Sequence, residues 1–214
     1  MSLGESKRPA SRHWSQISHE IPLKSEGSIS AWFKTSQGGM GTILNATNTA
    51  TGGDFFHLGV NGGKLHFEAR IASTIELYGI STGNVDDDSW HHVTLTMDAD
   101  GNHLYLDGQE LTTGDGRVNY SSGGETTQRF FADIPSADSL RVGAIEFAPD
   151  TYFSEFNGMV DDLRVYDRAL SSADVVEVMN YSPPSDLSSG IELNSDGGND
   201  AYLVTTNGGA ILGV

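Results

Sequence analysis

Between residues 28 and 166, apolar and polar side chains largely alternate one by one, the two-residue period of a half-buried strand. In Ser28 to Lys34, Ile29, Ala31 and Phe33 share one face, and Ser28, Ser30, Trp32 and Lys34 share the other. Lys64 to Ile71 repeats the pattern, with Leu65, Phe67, Ala69 and Ile71 facing in and Lys64, His66, Glu68 and Arg70 facing out. Phe55 to Val60 precedes it across Asn61-Gly62-Gly63, a favourable hairpin turn. Val93, Leu95 and Met97 continue the series. Leu104 and Leu106 answer them across a turn at Asp98 to Asn102, and Asp107-Gly108 marks the next turn. Shorter strands are expected at Thr42 to Asn45, Thr74 to Ile80 and Ser139 to Ile145, with a closing strand at Val160 to Tyr166.

Several stretches break the alternation. Residues 113 to 137 are polar and turn-rich, and a loop that long inside a domain is usually functional or mobile. Ser171-Ser-Ala-Asp174 fits a capping box with Ser171 as N-cap, opening a short helix whose apolar stripe reads Val175, Val176 and Met179. Tyr181 to Gly190 has linker composition. The expected organisation is an N-terminal segment at 1–19 with room for an irregular first strand, one domain at 20–181, a linker at 182–198 and a hairpin at 199–214. The stretch Asn199-Asp-Ala-Tyr-Leu-Val204 resembles the opening strands of bacterial cadherin-like repeats. It reads either as the start of a following domain or as a hairpin docked on this one.

Many short strands joined by tight turns account for 26 glycines and a hydrophobic fraction of 37%. The fold class is therefore all-β, and 214 residues are enough for one well-packed core. With 29 acidic against 12 basic residues the formal net charge is −17, which argues against nucleic acid and anionic membranes as partners. There is no cysteine, so neither disulfides nor thiol chemistry contribute. Met1 to Pro9 is polar and holds no apolar signal region, and any signal peptide is expected upstream of it. No apolar run approaches the roughly 18 to 20 residues that span a membrane.

Three blocks carry a family resemblance. Gly27-Ser-Ile-Ser-Ala-Trp-Phe-Lys34 resembles the pattern S-F-T-I-S-A-W-V-K. Trp90-His-His-Val-Thr-Leu-Thr96, followed by Leu104-Tyr-Leu-Asp-Gly108, resembles W-x-H-V-A-x-T, a turn and L-Y-V-D-G. Gly158, Val160 to Tyr166 and Arg168 to Ser171 resemble a last strand reading G-x-I-D-D-V-R-I-Y-N-R-A-L-S. These are blocks of bacterial laminin-G-like, concanavalin A-like jelly-roll domains. The resemblance implies a two-sheet antiparallel sandwich with one short C-terminal helix. It also implies one structural calcium, with Asp161 and then Asp162 among its ligands. The first strand that such domains usually show, F-x-G-x-x-D-Y-V, is not clear in this chain.

Strand parity places Asp161 with Leu163 and Val165, on the core side, and Val160, Asp162, Arg164 and Tyr166 on the other. A buried carboxylate needs a hydrogen bond, a cation or a metal. The competing readings for Asp161 are backbone hydrogen bonds at a bulge or pairing with Arg164 or Arg168. Calcium takes six to eight oxygens, so further ligands are expected from loop carbonyls and an N-terminal acid such as Glu20 or Glu26. Asp98 to Asn102 starts like an EF-hand loop, but Gln109 occupies the twelfth position. Asp86-Asp-Asp88 reads as a solvated turn, and the seven histidines lack zinc spacing.

Catalysis has little support. No E-x-D-x-x-E-like cluster or G-x-S-x-G elbow is present, and Glu146-Phe-Ala-Pro-Asp150 falls in a loop. Sugar binding needs exposed aromatics beside polar groups. Tyr120, Phe130, Phe147 and Tyr152 are the candidates to rim one end of the sandwich, with Tyr78 and Phe131 as further aromatics. The reading is a non-catalytic recognition or adhesion module of a larger extracellular bacterial protein, secreted or at the cell surface. It would bind glycan or protein and be stabilised by calcium. The alternatives are a structural spacer without a ligand and a glycan-cleaving enzyme of the same fold.

Overall fold

A computed structural model describes residues 26–181 and 191–193. The described chain runs through β1 (Gly27–Thr35), β2 (Gly41–Thr47), β3 (Phe55–Asn61), β4 (Lys64–Ile71), β5 (Thr74–Asn84), β6 (Trp90–Met97) and β7 (Asn102–Leu106). It continues with β8 (Gln109–Leu111), β9 (Val118–Ser122), β10 (Ser139–Val142), β11 (Ile145–Ala148), β12 (Thr151–Phe153), β13 (Gly158–Tyr166), α1 (Ser172–Tyr181) and β14 (Ile191–Leu193). One antiparallel sheet has the order β14-β13-β1-β6-β7-β8 and the other β10-β2-β3-β4-β5-β9, while β11 and β12 form a separate hairpin.

The core lies between the two sheets. Ile29, Ala31 and Phe33 of β1 and Val93 and Leu95 of β6 meet Phe56, Leu58, Phe67 and Ala69 of β3 and β4, all fully buried. The alternation read from the sequence is therefore the alternation of the sandwich. The turns follow the same logic. Gly62 and Gly63 have φ of +62° and +74° between the paired residues Asn61 and Lys64, the two left-handed residues of a tight hairpin turn.

Three local expectations are corrected. Residues 113–137 are not one long loop: Val118–Ser122 pairs with β5 and a 3-10 turn forms at Phe131–Asp133. The buried Asn102 side chain donates to the carbonyls of Gly124, Glu125 and Thr127 at 2.8–3.1 Å, which pins what remains of that loop. The strand expected at Ser139 to Ile145 breaks at Gly143, φ +84°, and turns into the β11–β12 hairpin. Of the 182–198 linker, residues 191–193 pair with β13 as an edge strand.

The capping box forms as expected. Ser171 Oγ accepts the Asp174 amide at 3.2 Å, and Asp174 Oδ2 accepts the Ser171 amide at 2.9 Å. The helix buries Val175, with Val178, against Tyr105, Tyr166 and Leu170, on the first sheet's outer side. Val176, expected in the buried stripe, is 43% exposed.

Candidate functional site

The closing strand does not keep its parity. Val160 and Leu163 both point into the core, so one extra residue stands between them. Register with β1 slips between Ser30↔Arg164 and Trp32↔Asp161, and Asp162 takes φ +49°. This is a β-bulge. It turns Asp161 away from the core, against the expectation, and sets it beside Trp32 on the outer face. Asp161 Oδ1 accepts the Asp162 amide at 2.8 Å, the bulge hydrogen bond weighed for it from the sequence. Asp162 Oδ1 accepts Arg164 Nε at 2.7 Å. Burial raises the pKa of both carboxyls, opposed at Asp161 by the Asp162 amide and at Asp162 by the Arg164 guanidinium.

These residues do not make a calcium site by themselves. Among the described residues no three His, Asp or Glu side chains converge for a metal. Asp162 already holds a cation, and Asp161 has one oxygen committed to its own backbone turn. Glu20 lies outside the described residues.

The outer face of the second sheet is richer. Side chains alternate away from the core as Asn45 and Thr47 on β2, Phe55 and His57 on β3, His66, Glu68 and Arg70 on β4, and Tyr78 on β5. Arg141 of β10 lies beside Asn45. His66, expected to face out, is fully buried on this side, and Glu68 nearly so. The His57, His66 and Tyr78 rings follow one another at centroid distances of 5.1 and 4.5 Å. Gly59, next to them, has no room for a Cβ between the Gly41 carbonyl and the His57 ring.

His57 Nε2 meets Thr42 Oγ1 at 3.2 Å, but His57 Nδ1 and both ring nitrogens of His66 are buried without a hydrogen-bond partner. Burial, and for His57 also the neighbouring His66, hold these rings neutral: His66 falls from 6.5 to about 4 and His57 is lowered well below 6.5. A neutral imidazole has one donor and one acceptor nitrogen. Buried polar atoms of this kind are usually met by ordered water.

The β11–β12 hairpin forms a wall at the β10 side of this face. Glu146 anchors it, accepting from Ser139 Oγ at 2.6 Å and Arg141 Nε at 2.9 Å. Tyr152 lies over the Arg141 guanidinium, 5.9 Å from its ring centroid. Phe147 and Phe153 stack edge-to-face at 5.8 Å and are 42% and 54% exposed. Phe147 rests on Gly52, whose φ of +63° and missing Cβ admit the ring. Across the face, Arg70 lies 5.2 Å over Phe55 while its guanidinium bonds Glu68 at 2.9 Å.

The four aromatics expected to rim one end are therefore divided. Phe147 and Tyr152 share the hairpin. Phe130 is core, 1% exposed and packed on Phe56 and Phe131. Tyr120 packs on Phe67, and its hydroxyl donates to Asn102 at 2.6 Å. Sequence reasoning missed His57, His66 and Arg141. The clue available was two histidines on neighbouring strands of one hairpin, each at a polar position.

A family model described as the concanavalin A-like lectin/glucanases superfamily, of laminin-G type, matches residues 11–176. The chain belongs to this superfamily. No curated protein sequence matches it. Among solved structures, the concanavalin A-like domain is similar to the CBM40 of Ruminococcus gnavus IT-sialidase, at 18% identity and TM-score 0.63, over 79% of this chain and 93% of that one. The same CBM40 bound to alpha2,3 sialyllactose aligns at 19% identity and TM-score 0.59, over 72% and 82%. The mouse laminin alpha1 LG4-5 pair aligns at 16% identity and TM-score 0.51, over 77% of this chain and 41% of that one. At these identities the likeness shows the shared fold. No helix among the described residues is long and apolar enough to cross a membrane.

Proposed function

We propose that this concanavalin A-like domain is a non-catalytic recognition module that binds carbohydrate on the outer face of its second sheet. The carrying observation is the aromatic wall of the β11–β12 hairpin, where Phe147 and Phe153 are exposed and Tyr152 lies over Arg141, at the edge of the sheet face that holds Tyr78. Sugar hydroxyls both donate and accept, and sugar rings pack on aromatic faces, so such a face offers what a sugar uses. The sialyllactose complex of the similar CBM40 supports the choice of ligand class. The laminin LG likeness supports an extracellular setting, with a protein ligand as the alternative class.

Among the described residues, the glutamates of this face are committed to ion pairs. Glu68 and Glu146 are each engaged by an arginine of the same face. Ser30 Oγ and His92 Nε2 stand 3.0 Å apart on the other sheet, but both residues are buried and His92 Nδ1 has no partner to orient the ring.

The test is a printed glycan array followed by calorimetry on any hit. Tyr78→Ala and Tyr152→Ala should each weaken binding about tenfold or more while the fold is retained. Absence of any glycan hit would leave the spacer reading in its place. Calcium joins the proposal through Asp161 alone, as one carboxylate ligand. Its own check is thermal unfolding in EDTA and in millimolar calcium. A rise in midpoint that Asp161→Ala abolishes supports calcium, and an unmoved midpoint removes it.

A further inference from the structure

We infer that this face selects neutral, hydroxyl-rich sugar chains over carboxylate-bearing ones, because both guanidinium groups set into it are already paired with glutamates of the same face. The inference rests on the carbohydrate-binding reading above and names its ligand class.

Arg141 is held by Glu146 at 2.6 and 2.9 Å, with both side chains about 7% exposed. Arg70 bonds Glu68 Oε1 through Nε at 3.1 Å and Nη2 at 2.9 Å. A sugar carboxylate arriving at either guanidinium meets a carboxylate already there. Like charges in a poorly hydrated setting repel strongly. The surroundings add to this repulsion. Asp150 is exposed in the hairpin turn, and Asp138 is exposed where it bonds Thr49 at 2.8–2.9 Å. His57 and His66 are neutral at pH 7 and bring no positive charge. Lys64, at the start of the same row, sits at the hairpin end of β4, two positions before His66. Close by, the Asp86 carboxylate lies against Gly63.

What the face offers instead is uncharged aromatic surface, with Phe147 and Phe153 exposed on the hairpin. The imidazole nitrogens of His57 and His66 are fully buried and take no part in contacting a ligand. The Tyr78 hydroxyl accepts from Asn61 Nδ2 at 3.3 Å and keeps its own proton to give. An uncharged polyol can stack on the exposed rings and accept that hydrogen bond without setting a further negative charge beside Glu68 and Glu146.

The experiment measures binding of the whole chain at pH 7 to two arms of a glycan array. One arm holds neutral gluco-, xylo-, manno- and galacto-oligosaccharides. The other holds sialylated and uronic-acid glycans, including 3′-sialyllactose beside lactose. The expected result is neutral hits at least ~10-fold tighter than any acidic glycan. Any residual acidic binding should strengthen with added salt, because salt screens repulsion. Glu68→Gln, which keeps shape and releases Arg70, should shift the ratio toward acidic glycans. Tight binding of sialylated or uronic glycans that weakens with salt would overturn the inference and leave the carbohydrate reading intact. Silence in both arms would overturn both.

Discussion

Glu146 and Arg141 stand on opposite sides of the break at Gly143, joined at 2.6 Å with both side chains almost fully buried. The pair ties the β11–β12 hairpin down onto the second sheet, and with it Phe147, Tyr152 and Phe153. Removing one partner leaves the other as an uncompensated buried charge, which costs about 3–5 kcal/mol. Glu146→Ala is expected to lose stability on that scale in urea unfolding, and to lose glycan binding before it unfolds. A stable variant with an unchanged midpoint would show that the hairpin is held by other contacts.

The bulge makes a second expectation. Asp162 sits at φ +49°, a region that Asn and Gly tolerate and β-branched residues do not. Its carboxylate also holds Arg164, which is 6% exposed. Asp162→Asn should cost about 1 kcal/mol and Asp162→Val about 2–4 kcal/mol. Equal costs for the two would mean that the backbone conformation at this position is unimportant.

Phe130 and Phe147 separate packing from recognition. Phe130 is 1% exposed within the core, so Phe130→Ala should cost about 3–5 kcal/mol. Phe147 is 42% exposed, so Phe147→Ala should change stability by less than about 1 kcal/mol while lowering affinity for glycan. Thermal unfolding and calorimetry on both variants decide the matter. The opposite assignment would move the binding face to the other end of the sandwich.

Three buried histidines give stability a pH dependence of known sign. His57, His66 and His92 are lowered by burial, the last two from 6.5 to about 4. The unfolded chain therefore takes up protons on these rings before the folded chain does. Stability is full above 6.5 and falls as pH drops from 6.5 toward 4, by roughly 3 kcal/mol for a ring lowered that far. His91 runs the other way. Its hydrogen bond to Asp107 outweighs burial and raises its pKa, so its stabilisation is fully present below 6.5 and fades as pH rises through the raised value. Urea unfolding from pH 8 to pH 4 should show a small gain and then a steep loss. A flat profile would mean that these rings are not buried neutral.

Much of the fold could be read directly. The Ile29, Ala31, Phe33 alternation and the glycine turn at 62–63 are local patterns with local causes. The bulge at Asp162 entered only as one alternative for Asp161, because alternation assumes a constant period and a single left-handed residue resets it. The candidate site was legible only in its hairpin half. Phe147 and Tyr152 stand in turn-rich sequence and were singled out for that reason. Phe130 stands in similar sequence, yet it is drawn inward by Phe56 and Phe131, contacts more than seventy positions away in the first case. His66 reads as an ordinary outward polar residue, and the pattern of Phe55 to Val60 singles out no face for His57. Their burial depends on neighbouring strands that no single strand's pattern reveals.

The three-residue strand β14 has a consequence for how the protein behaves in company. It pairs with Gly158, Met159 and Val160 along the margin of the first sheet. A chain trimmed back to the end of the helix would present those amide and carbonyl groups to any extended segment that drifts past. Unsheathed margins of this kind recruit neighbours into open-ended stacks. A short stretch of sequence, through its backbone pairing alone, therefore acts as a guard against self-association.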